Sequence, residues 1–170
     1  MRKDAAGTSL PADLADRAES VLSLASENNL TVATVESCTG GLLSALLTDI
    51  SGLGHVFERG IVAYSDQAKC DLLNIDPERV EECGAVSQEI AVEMVKGGMD
   101  RSPADIVLAI TGFAGPTGED EEEGLVYFAC ARRGGKIAHR EEHFGPLGRD
   151  NVRNAAAAVA LSLIEFAART

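Results

Sequence analysis

The chain has 170 residues, 45% of them apolar and 25% charged, with a formal net charge of −12 at pH 7. Length and composition fit one soluble globular domain rather than a disordered chain. A surface this acidic repels polyanions, which excludes non-specific binding to nucleic acid and docking on anionic lipid. The longest strongly apolar stretch, Ala155 to Ile164, is too short to span a bilayer, and Met1 to Ser20 lacks the apolar run of a secretory signal. The expectation is therefore a cytoplasmic protein with a frayed tail over residues 1–8 and a single domain from 9 to 170. The cysteines Cys38, Cys70, Cys83 and Cys130 form no C-x-x-C pair, so reduced thiols are expected rather than a disulfide framework. With two Tyr, five Phe and no Trp, the core falls to Ala, Val, Leu and Ile, and no aromatic platform is left for stacking bases.

Apolar positions Leu14, Ala18, Val21, Leu22 and Ala25 recur at helical spacing and predict a helix over 10–27, with Pro11 tolerated in its first turn. Leu30 to Val35 is β-branched and reads as a strand. A helix follows over 42–50, a loop at Ser51-Gly52-Leu53-Gly54, a strand over 57–64 and a helix over 65–73. Residues 76–82 make one or two helical turns, and 87–100 a long helix with Ser87 as N-cap. Ala104 to Thr111 is almost continuously apolar, the pattern of a strand buried on both faces. Gly112 to Glu123 is a loop, and the runs 125–132 and 136–144 flank Gly134-Gly135, a hairpin signal. An Ala-rich helix over 150–168 ends the chain. Early alternation of helices and strands followed by a hairpin predicts an α/β fold: a three-layer α/β/α sandwich with a mixed, mostly parallel sheet.

The first candidate site is Glu36-Ser37-Cys38-Thr39-Gly40-Gly41, between a strand end and a helix start. Ligands bind at that end of α/β sheets, and helix N-termini offer free N–H groups. Two glycines there cost about 1 kcal/mol each relative to Ala, so either a close approach to a ligand or simple turn shaping with Ser37 or Thr39 as N-cap accounts for them. No Lys follows the glycines, so this is not a P-loop. Ser37 and Cys38 are adjacent candidate nucleophiles, and no histidine is near in sequence to activate either. His139 and His143 on one strand would stand about 13 Å apart, which excludes their sharing a metal ion. Tyr64 at a strand end and Lys69 in the following helix supply a non-histidine base, or else a core tyrosine and a solvated lysine. Thr111-Gly112-Phe113-Ala114-Gly115-Pro116 is a second Gly-rich loop able to turn N–H groups toward an anion. Gly148-Arg149-Asp150 opens the last helix with a guanidinium suited to phosphate or carboxylate, or with a cap and a solvated Arg. The run Glu119-Asp120-Glu121-Glu122-Glu123 reads as a solvated loop, or else as a weak cation site.

These motifs, with Phe57-Glu58-Arg59-Gly60 and Gly84-Ala85-Val86-Ser87 between them, stand in an order that resembles the CinA C-terminal domain family, the bacterial nicotinamide mononucleotide amidohydrolases. The resemblance runs from about Leu14 to the C-terminus and is to the stand-alone form, without the molybdopterin-binding-like domain of longer relatives. It implies a three-layer α/β/α homodimer that hydrolyses the carboxamide of nicotinamide mononucleotide to nicotinic acid mononucleotide and ammonia, with no metal and no cofactor. It makes Ser37 the nucleophile, activated by Tyr64 and Lys69, and places Arg149 on the substrate. Glu36, Cys38, Thr39, Gly40, Gly41, Thr111, Gly112, Ala114 and Gly115 would line the site.

Two departures bear on activity. Relatives carry Pro-Gly-Ser-Ser where this chain has Ser51-Gly52-Leu53-Gly54, so a serine expected to line the site is missing at Gly54. The loop after Pro116 is shorter than the family's and acidic where relatives have Glu-Lys-Pro, a change that weakens affinity for an anionic substrate. Alongside the amidohydrolase stands an alternative, a catalytically weak relative that binds a nucleotide or a protein partner through the same pocket.

Overall fold

The computed structural model describes residues 11–170. The expected frayed tail, residues 1–8, lies outside them. Helix α1 (Ala12–Glu27) leads into β1 (Val32–Glu36), α2 (Leu42–Thr48) and β2 (Phe57–Val62). Helices α3 (Asp66–Leu73), α4 (Pro77–Cys83) and α5 (Gln88–Arg101) then precede β3 (Ile106–Gly112). The hairpin of β4 (Leu125–Arg132) and β5 (Ile137–His143) and the long α6 (Arg149–Arg169) complete the chain. Ser87 caps α5 as its sequence predicts, its hydroxyl accepting from the Ile90 N–H at 3.3 Å.

The five strands form one sheet in the order β2-β1-β3-β4-β5. β1 pairs parallel with both β2 and β3, while β4 runs antiparallel to both β3 and β5. The parallel character thus belongs to the half built from strand–helix–strand units. The β3–β4 connection holds no helix that would carry the chain back to the starting edge, so β4 returns antiparallel.

The apolar run of β3 splits by the two-residue period of a strand. Ile106, Leu108 and Ile110 pack with α1, α2 and α6, whereas Val107 and Ala109 face α5. The second face carries the smaller side chains, Ala33, Ala109, Ala129 and Ala131, and α5 answers with its own small residues. A Cβ on Gly98 would sit 2.7 Å from methyl groups of both Val107 and Val35, and one on Gly97 only 2.5 Å from the Leu73 carbonyl oxygen. Glycine costs a helix about 1 kcal/mol relative to alanine. Here it lets α5 close on β1, β3 and α3 together. Helices on both faces of the sheet give the three-layer α/β/α sandwich. No helix among the described residues is long and apolar enough to cross a membrane.

Chain direction then locates the ligand end. From β1 the chain crosses one face of the sheet through α2 to reach β2, and it enters β3 from the opposite face through α5. Strand order therefore reverses between β1 and β3, and the crevice beyond their carboxyl ends is where open α/β sheets receive ligands.

Candidate active site

A cavity of about 500 Å³ occupies that crevice, within the size range of small-molecule sites. Ser37 and Cys38 reach it from the end of β1, Tyr64, Asp66 and Lys69 from the end of β2 and the start of α3. Gly84, Ala85 and Val86 enter from the loop between α4 and α5. The segment from Gly112 to Thr117 comes from the end of β3, with Glu121 beyond it and Arg149 at the start of α6. Segments far apart in sequence converge here because the parallel strands β1, β2 and β3 all end on one edge of the sheet.

Glu36 explains how the loop of Ser37 is held. It is fully buried, and Oε1 accepts from the Ser44 N–H (2.8 Å) and hydroxyl (2.6 Å). Oε2 accepts from the Thr39 hydroxyl (2.7 Å) and the N–H groups of Gly41 and Leu43 (3.1 Å each). One carboxylate thereby takes up the free donors at the start of α2 and opposes the positive end of the helix dipole. The helix N-cap itself is Gly41, at φ +94° and without a side-chain cap bond, so neither Ser37 nor Thr39 serves as the cap their positions suggest. This corrects two expectations. Glu36 anchors the loop instead of facing a substrate, and Ser37 is not consumed in capping.

Ser37 is 6% exposed; its N–H donates to the Ile110 carbonyl at 3.0 Å, and its hydroxyl has no hydrogen-bond partner among the described residues. The N–H groups of Ala114 and Gly115, both lining the cavity, find no acceptor among the described residues, whereas the Cys38 N–H turns toward its own thiol. Burial pushes the adjacent Cys38 thiol up to about 12, so it stays protonated at neutral pH. Arg153, which sequence reasoning missed, donates from Nε to the Cys38 carbonyl at 2.8 Å and passes its guanidinium over Gly40. It lies one helical turn after Arg149, and that i, i+4 spacing was the available signal.

Lys69 is among the largest fully buried side chains at 2% exposure, which removes the solvated reading. Its one hydrogen bond among the described residues is a long contact of 3.5 Å to Asp66 Oδ1, whose side chain is exposed. A buried amine with so little compensation costs free energy unless the cavity it lines supplies partners. Tyr64 is 59% exposed and stands at the cavity, not in the core.

Among the remaining candidates, Gly112, Ala114, Gly115 and Arg149 line the cavity, but Thr39, Gly40, Gly41 and Thr111 do not. Thr111 is fully buried and donates its hydroxyl to the Ala85 carbonyl at 2.8 Å, which ties β3 to the loop of Gly84 to Val86. Gly54 is also absent from the lining. It lies between α2 and β2, at the amino end of the strands, where the Val32 N–H meets the Val56 carbonyl at 2.8 Å. The missing serine is therefore remote from this cavity. The acidic run, expected to be solvated, contributes Glu121 to the lining.

The CinA C-terminal domain family model matches residues 14–167. A putative competence-damage inducible protein of Acetivibrio thermocellus is 48% identical over 130 residues, covering 75% of this chain and 31% of that protein. The chain spans about a third of the length of that and comparable relatives. The nicotinamide-nucleotide amidohydrolase PncC of Escherichia coli K12 is 43% identical over 136 residues, covering 79% of this chain and 82% of that protein. The crystal structure of the competence/damage inducible protein CihA from Agrobacterium tumefaciens superposes with a TM-score of 0.90 at 36% identity, covering 96% of this chain and 99% of that one. Its sequence motifs, its fold and these similarities agree: the chain belongs to the CinA C-terminal domain family.

Proposed function

We propose that this chain hydrolyses the carboxamide of nicotinamide mononucleotide to nicotinic acid mononucleotide and ammonia, through Ser37. The observation that carries this reading is the convergence of Ser37, Tyr64 and a buried, barely partnered Lys69 on one cavity. The relative PncC, named for the same reaction, supports it at 43% identity.

In this mechanism the Ser37 hydroxyl oxygen attacks the carboxamide carbon while its proton passes to the Lys69 amine, with Tyr64 relaying or orienting it. Backbone N–H groups that line the cavity without an acceptor, those of Ala114 and Gly115, stabilise the oxyanion of the tetrahedral intermediate. Its C–N bond then breaks, the leaving nitrogen takes the proton from Lys69 and departs as ammonia, and an ester to Ser37 remains. Water attacks that ester with the same amine as base, releasing the carboxylic acid and the serine. Arg149 holds the substrate phosphate. No step requires a metal or a cofactor.

The chemistry belongs to a small-molecule nucleotide enzyme, and the resemblance adds a cytoplasmic homodimer to the proposal. A second reading, a weakly catalytic binder of nucleotide or protein, draws on the unpartnered Ser37 hydroxyl, although catalytic hydrogen bonds often tighten only with substrate bound. An ammonia-release assay over pyridine nucleotides and simple amides decides between them. The amidohydrolase reading expects turnover confined to the nicotinamide nucleotide and its close analogues, and no release from any of these supports the binder.

A further inference from the structure

We propose that Glu121 is a specificity-determining residue of this cavity, reducing its preference for a dianionic over an uncharged substrate tail; the proposal rests on the amidohydrolase reading above. Of the five consecutive acidic residues 119–123, Glu121 alone lines the cavity. Glu119 and Asp120 are exposed and away from it, and Glu122 is bound to His143 Nδ1 at 2.8 Å, whose Nε2 meets Glu141 at 2.8 Å. Glu121 is held by its own loop. The Thr117 hydroxyl donates to its carbonyl at 2.9 Å, and the Gly118 N–H donates to its Oε2 at 3.3 Å.

This loop and Arg149 line the same cavity. It leaves β3 through Gly115, against which the Arg149 guanidinium rests. Arg149 precedes by one helical turn Arg153, whose Nε is fixed on the Cys38 carbonyl. Arg149 lines the cavity from the start of α6 and Ser37 from the end of β1, so with the carboxamide at Ser37 the proposed function puts the substrate phosphate at Arg149. Two opposite charges share the cavity without pairing, since no ion pair joins Arg149 to Glu121 among the described residues. Arg149 attracts a phosphate, and Glu121 opposes its second negative charge. Between charges a few ångströms apart in water this opposition is worth about fivefold in affinity, and salt screens it over about 8 Å at physiological strength.

The test is equilibrium binding of nicotinamide mononucleotide and of its nucleoside, nicotinamide riboside, at low and high salt. Wild type, Glu121→Gln and Glu119→Gln are compared. The ratio of nucleotide to nucleoside affinity should rise about fivefold in Glu121→Gln at low salt, converge with wild type at high salt, and stay at the wild-type value in Glu119→Gln. An unchanged or lower ratio in Glu121→Gln overturns the proposal, and so does an equal rise in Glu119→Gln, which would spread the effect over the whole loop. Failure of either ligand to bind any of the three proteins overturns it as well. Binding needs no turnover, so a clean shift without ammonia release sinks the amidohydrolase reading alone.

Discussion

The guanidinium of Arg149 rests against Gly115 so closely that a Cβ on the glycine would lie 2.6 Å from Nη2, 2.9 Å from Cζ and 3.0 Å from Nε. Glycine here is required by the neighbour, not by a special backbone conformation. The contact joins the loop after β3 to the first turn of α6, and it sets where the cavity presents its guanidinium.

Gly115→Ala should therefore displace Arg149 without unfolding the protein, because the far end of an exposed arginine can move. Affinity for the nucleotide is expected to fall several-fold while the melting temperature shifts little. Calorimetric titration and a thermal melt check the pair, and a large loss of stability would show that the glycine serves the fold instead.

Glu36→Gln should be strongly destabilising. The new amide sets N–H donors against donors at the start of α2, where one carboxylate now accepts five hydrogen bonds. Hydrogen bonds to a charged group contribute about 1.5–3 kcal/mol each, and mispaired buried groups add their own cost, so a loss of about 3 kcal/mol is expected. Urea unfolding measures it, and a change below about 1 kcal/mol would contradict the anchoring role.

Cys38, although beside Ser37, should resist alkylation in the folded protein. Burial pushes its thiol up to about 12, so little thiolate exists at neutral pH. Iodoacetamide labelling followed by peptide mapping should find the partly exposed Cys70 and Cys83 modified well before Cys38. Rapid labelling of Cys38 would make it a competing nucleophile.

Lys69→Arg should lose kcat about as badly as Lys69→Ala. Arginine keeps the charge but does not give up its proton near neutral pH, so it cannot serve as the base. Steady-state kinetics on both variants decides. A near-normal kcat for Lys69→Arg would leave Lys69 a purely electrostatic part.

His143 ties the acidic loop to β5 in a pH-dependent way. Hydrogen bonds donated by its ring to the Glu122 and Glu141 carboxylates raise its pKa above the ordinary 6.5. A histidine raised on folding contributes stability that is fully present below pH 6.5 and is lost as the pH rises through the folded value. An NMR titration should place the His143 midpoint above 6.5, and Glu122→Gln should bring it back toward that value. An unshifted midpoint in the wild type would show the loop is not held there.

The fold was legible because its signals are local. Leu125 to Arg132 is bounded by glycine on one side and the Gly134-Gly135 turn on the other, and Ser87 sits immediately before Gln88 and Glu89. The lining of the cavity was legible where a motif ends a strand, as at Ser37, Tyr64 and Gly112 to Gly115. Glu36 was misjudged because its partners lie three to eight residues on, and only the three-dimensional turn shows that both oxygens are spent. Glu121 reaches the cavity along a loop path that no local pattern encodes, whereas Arg153, on the Cys38 carbonyl, was signalled by its i, i+4 spacing from Arg149. Gly54 was placed at the site although a parallel connection must return to the amino end of the sheet, a rule that already excluded it.

The central claim is that Ser37 carries the hydrolysis, and ammonia release from nicotinamide mononucleotide by wild type and Ser37→Ala tests it most directly. The account predicts one ammonia per nicotinic acid mononucleotide in the wild type, and a fall of about a thousandfold or more in Ser37→Ala with its circular dichroism unchanged. A folded Ser37→Ala protein that turns over at a rate close to wild type would contradict it.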